Sequence, residues 1–154
     1  MQPGTINLQT WVRMKTGFLT LETHPDHNDL VRVCMQEKIP DLSRQEDARE
    51  IRYVARFKDI EAAQMHVQNM MHSSLVNLQY RIYRKSLAEM IACVEADELE
   101  HARVWMDPCI SEVECNRIES LVKHHRNRHK LIDLIWQAVG IAGLIILLGA
   151  GLSL

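Results

Sequence analysis

Glu95, Glu98 and His101 stand three residues apart, and on a helix that spacing sets two carboxylates and an imidazole on one face. Two Glu-x-x-His pairs joined by two further carboxylates make up the ligand inventory of a ferritin-like di-iron site. The chain holds one such pair, Glu98 with His101, so a homodimer has to complete the set, with Glu119 brought level from the opposite arm of a helical hairpin. Iron is the cofactor this arrangement implies. The competing role for the same residues is a partly exposed network of ion pairs and hydrogen bonds.

Met65, His66, Met70 and His72 form a softer set. Thioether and imidazole donors suit Cu(I), and His66 and Met70 lie four apart, on one face of a helix. Methionine also fills irregular gaps in cores, and Met70 and Met71 fall on an apolar stripe, so packing competes with copper binding. His24 and His27 flank Pro25 and read as turn residues. No GxSxG, phosphate-binding loop, GxGxxG or HExxH motif occurs, so the sequence points away from the familiar enzyme classes.

A net charge of −2 over 154 residues excludes wholesale electrostatic binding of nucleic acid, which needs a strongly basic domain. The four cysteines, Cys34, Cys93, Cys109 and Cys115, form no CxxC pair and no zinc-finger spacing. Four free thiols are therefore expected.

The apolar residues are concentrated at one end. From Leu134 to Leu154 there is no Lys, Arg, Asp, Glu or His. About 20 helical residues cross a hydrocarbon core of roughly 30 Å, so this run predicts a single C-terminal transmembrane helix. The preceding Lys123, Arg126, Arg128 and Lys130, with Trp136, then mark the membrane interface, and the positive-inside rule places the N-terminal part in the cytoplasm. Ala138 and Ala142 make a small-xxx-small pair, and Gly140 and Gly143 thin the neighbouring faces, which lets helices approach one another closely.

The elements that must position these groups divide at the prolines. Phe18–Leu21 and Leu30–Cys34 favour two strands around the turn chemistry of residues 24–29, and Ile51–Phe57 suggests a third. From Asp59, a suitable N-cap, Ile60, Ala63, Val67, Met70 and Met71 recur at helical spacing. The pattern predicts one helix reaching Trp105, with a break near Arg84 left open by the Ser86–Glu89 capping box. Asp107-Pro108 and a second capping box, Ser111–Glu114, start another helix that runs into the apolar tail.

The expected architecture is thus α+β and mostly α. It comprises a small antiparallel β element in residues 1–58, a cytoplasmic helical hairpin in 59–130, and the transmembrane helix in 131–154. The function this predicts is that of a tail-anchored, non-enzymatic accessory or adaptor subunit. Its expected partners are the lipid bilayer and either a larger membrane complex or a second copy of itself.

Overall fold

Alternating apolar residues build the sheet from which the rest of the chain is hung. In the computed structural model, which describes residues 15–42 and 48–151 without the side chains of 129, 130, 132, 133 and 145–151, β1 (Gly17–His24) pairs antiparallel with β2 (His27–Gln36). On its other side β1 pairs with β3 (Glu50–Phe57), so Leu21 stands between Val33 and Tyr53. Leu19, Leu21, Val31, Val33, Tyr53, Ala55 and Phe57 alternate along the three strands, and all are buried in one core cluster. Thr20 and Val54, paired with each other at the intervening positions, are buried outside that cluster.

Three shorter strands complete a six-stranded antiparallel sheet. β4 (Leu75–Asn77) and β5 (Ile82–Arg84) form a hairpin that joins the β2 edge, and β6 (His101–Met106) joins the β3 edge, giving the order β4-β5-β2-β1-β3-β6. The turn of the β4–β5 hairpin is held by the Asn77 side chain, whose Oδ1 accepts from the Tyr80 amide at 3.0 Å. Arg81 closes it with a positive φ of 51°, a conformation that L-residues other than Asn and Asp visit uncommonly.

The helices cover the apolar face. α1 (Ile60–Met71) opens at Asp59, whose carboxylate accepts from the Glu61 and Ala62 amides, and it buries Ile60, Ala63, Val67 and Met71 at helical spacing. α2 (Leu87–Glu95) opens with a complete capping box between Ser86 and Glu89. Its residues Met90 through Val94 are all buried, because strands β1 and β2 lie against one side and α3 (Glu112–Gly151) against another. A helix apolar all round is stable only when covered all round. Ile118, with the half-buried Cys115, Leu121 and Val122, provides the α3 part of that cover.

Two expectations are corrected here. The chain is not mostly α with a helical hairpin: residues 75–77, 82–84 and 101–106, expected within one long helix, are strands, and 78–81 are a turn. Leu75, Leu78 and Ile82 happen to match a helical period, but Leu75 and Ile82 belong to a hairpin whose partner, β2, lies far away in sequence. α2 stops at Ala96, and the Asp97 side chain then accepts from the Leu99 amide at 2.9 Å, offering the backbone an alternative to another helical turn.

The second correction concerns the membrane. Among the described residues no helix is long and apolar enough to cross one, which overturns the tail-anchored, single-pass arrangement and the cytoplasmic placement derived from it. The helix that carries the apolar tail begins far earlier, at Glu112, and its first turns are charged.

Candidate functional site: a histidine–carboxylate cleft

His66 on α1 faces Asp97, just beyond α2, with 3.1 Å between Nδ1 and Oδ1. The Asp97 side chain has 0% exposure, and its Oδ1 also accepts from the Leu99 amide. Its second oxygen, Oδ2, is buried without a hydrogen-bond partner. An ionised carboxylate only accepts, so this contact puts the imidazole proton on Nδ1 and, in the neutral ring, leaves the Nε2 lone pair free. His66 itself is half-exposed. The result is an oriented imidazole with an open outer nitrogen.

That histidine borders a cleft of about 320 Å³ lined by His66, Asn69, Met70, Ala96, Asp97 and Glu98. Beneath it the Cys93 Sγ lies 3.8 Å from the Met70 Sδ. Cys93 is fully buried, and burial, with a smaller contribution from the Asp97 charge, pushes its thiol up to about 12. It is held as a neutral thiol.

The structure thus brings together residues from both sequence-predicted sets and separates others. His66, Met70 and Glu98 share the cleft. Met65 points into solvent, and His72 sits in a 3-10 turn with Nδ1 against the Asn69 carbonyl at 2.9 Å; neither lines the cleft. His101 begins β6, with Nδ1 2.7 Å from the Leu99 carbonyl and its ring stacked on Phe57. Glu119 is exposed on α3. Residues 96–100 are not helical and no helical hairpin is present among the described residues, so Glu98, His101 and Glu119 are not set level with one another on facing helices, contrary to the expectation from their spacing. Among the described residues no three His, Cys, Asp or Glu side chains gather as a metal-holding group.

Asp97 was missed at the sequence level. It reaches His66 from 31 positions away, and only the buried end of α2 makes them neighbours. A smaller cavity of about 70 Å³ lies elsewhere on the sheet, bordered by Glu22, His24, His27, Arg32 and Arg49 among others, with Glu22 and Arg32 paired at 3.6 Å.

The far part of α3 presents different chemistry. Arg126 donates from a guanidinium nitrogen to the Glu95 carbonyl at 2.9 Å, so it caps the end of α2. Lys123 is exposed, as is Arg128, and the Lys130 side chain lies outside the described residues. Beyond them Leu134, Ile135, Trp136, Val139, Ile141 and Leu144 are all exposed, Trp136 by 70%. Ala138, Gly140, Ala142 and Gly143 are exposed among them, and a Cβ added at Gly140 or Gly143 would meet nothing within 4 Å.

Comparison with protein families, with curated proteins and with solved structures found no match to this chain.

Proposed function

We propose that the protein is a non-enzymatic assembly subunit, in which a β-sheet head carries a long helix whose apolar half joins that of a second copy. The observation that carries this reading is the exposure of large apolar side chains on every face of α3 from Leu134 to Leu144. Contiguous apolar surface of this kind marks interaction sites. A helix apolar all round is normally enclosed, and none of the described residues of the head covers this one. The small residues Ala138, Gly140, Ala142 and Gly143 give neighbouring helices room to approach.

Like copies fit this surface because it carries no charge that would need an opposite partner. A bundle places apolar residue against apolar residue and keeps the basic turns around Lys123, Arg126 and Arg128 outside it. Light scattering and chemical cross-linking of the full chain test the reading. The expected result is an oligomer that Ile135→Lys with Val139→Lys converts to monomer while the head retains its circular dichroism. A monomer in the unsubstituted chain, or an oligomer indifferent to both substitutions, would overturn it.

A further inference from the structure

We infer that the cleft between α1 and the end of α2 binds a small primary alkylammonium ion, whose N–H groups donate to His66, Asn69 and Glu98 above the buried charge of Asp97. The lining is rich in acceptors and, among the described residues, includes no lysine or arginine. The Asp97 contact at 3.1 Å keeps the imidazole proton of His66 on Nδ1, so the neutral ring offers Nε2 as an acceptor. Asn69 and Glu98 are exposed, and among the described residues their side chains make no hydrogen bond or ion pair. Three acceptors thus border one cleft, and an alkylammonium carries three donors.

The charge that selects a cation lies beneath them. The Asp97 side chain has 0% exposure, its Oδ1 meets His66 and the Leu99 amide, and its Oδ2 has no partner. A buried carboxylate with an unsatisfied oxygen favours a positive charge nearby. Glu98 adds a second negative charge at the rim, and a neutral His66 cancels neither. A metal ion would need a tight group of ligating side chains, which is absent among the described residues, whereas an ammonium ion needs acceptors spread around its protons.

The rest of the lining suits a short hydrocarbon tail. Met70, half-buried, and Ala96, buried, border the same cleft, and a thioether side chain adapts readily to a methylene chain. Its volume of about 320 Å³ is at the small end of the range for ligand pockets.

The test is a titration of the full chain with n-butylamine at neutral pH and constant ionic strength, followed by amide chemical shifts. Saturable binding should move the amides of residues 66–70 and 96–99. Tetramethylammonium, a cation without N–H donors, and 1-butanol, a tail without charge, should each bind at least about tenfold more weakly. Asp97→Asn and Glu98→Gln should each weaken butylamine binding by about tenfold, whereas Glu100→Gln, which removes an exposed carboxylate paired with Lys58 outside the cleft, should leave it unchanged. Nα-acetyl-lysine methylamide identifies the source of the ammonium group: tighter binding than butylamine assigns the site to a lysine side chain, weaker binding to a free amine. Circular dichroism of each variant separates lost binding from lost fold, and Glu98→Gln, at an exposed position, keeps the test decisive where Asp97→Asn fails to fold. Absence of saturation by butylamine, equal binding of tetramethylammonium, or undiminished binding by folded Glu98→Gln would overturn the assignment.

Discussion

The Tyr53 hydroxyl donates a 2.7 Å hydrogen bond to Glu95 Oε1, tying the centre of β3 to the last turn of α2. The same oxygen accepts from Arg103 Nε on β6 at 2.7 Å, so one carboxylate joins two adjacent strands to a helix. Burial by itself pushes the Glu95 carboxyl up. The hydrogen bonds from Arg103 and Tyr53, aided by the charge on Arg103, outweigh it and hold the group below its ordinary value of 4.5. Burial, with that hydrogen bond second, drives the Tyr53 hydroxyl far above its ordinary value of 10.0.

Tyr53→Phe should therefore lower stability by about 1.5–3 kcal/mol, the usual worth of a hydrogen bond to a charged group. Because the folded carboxyl titrates below its unfolded value, its contribution is complete above about pH 4.5 and disappears as the pH falls through the lower folded value. Urea denaturation at pH 7 and at successively lower pH should show the parent converging on Glu95→Gln in acid. A gap that stays constant would refute the linkage.

Gly17 should tolerate no side chain. A Cβ there would lie 2.9 Å from the Ile60 Cβ and 3.0 Å from the Gln36 carbonyl oxygen, where β1 meets the start of α1. Gly17→Ala is expected to cost about 1–3 kcal/mol by overpacking, more than the roughly 0.4–1 kcal/mol that a stiffer unfolded chain returns. Ile60→Val should not rescue it, since the clashing Cβ remains. Thermal denaturation of the single and double variants checks this.

Arg126 should matter for stability although its side chain is at the surface. Its bond to the Glu95 carbonyl satisfies an end group of α2, and Arg126→Ala should cost about 0.5–1.5 kcal/mol. Lys123→Ala, one turn earlier and exposed, should change stability by less than about 0.5 kcal/mol. Equal losses at both positions would mean that charge along α3, and not this cap, is what counts.

The four thiols should label in sequence. Cys109 is exposed, Cys115 is half-buried, and Cys34 and Cys93 are held by burial up to about 11 and about 12 respectively. Since the thiolate is the nucleophile, alkylation at pH 8 followed by mass spectrometry should mark Cys109 first, Cys115 next, and Cys34 and Cys93 only on unfolding. Early labelling of Cys93 would contradict the packing of α2.

Legibility in the sequence followed the range of the interactions involved. The turn between β1 and β2, the third strand, and the caps at Asp59, Ser86 and Ser111 were readable because each depends on residues a few positions apart. β4, β5 and β6 were not. β4 and β5, three residues each, are too short to declare themselves by alternation, β6 does not alternate in burial, and the pairing that holds β5 and β6 in the sheet comes from β2 and β3, much earlier in the chain. The same limit applied to the cleft: His66 and Met70 stood out by their helical spacing, whereas Asp97, one of its deepest groups, had no local signal. Extending the helix through residues 96–100 displaced Glu98 and His101 onto a common face they do not share. The apolar tail was read by its composition, while the charged start of the same helix, which docks on α2, was assigned to an arm of a hairpin that does not form.

α3 is forty residues long, about 60 Å from end to end, and is seated on the head only over its first half. Mechanically it is a lever with its fulcrum near Arg126. A load on the distant end would bear on α2, whose last turn is joined to the sheet through the Glu95 carboxylate and to the cleft through the turn at Asp97.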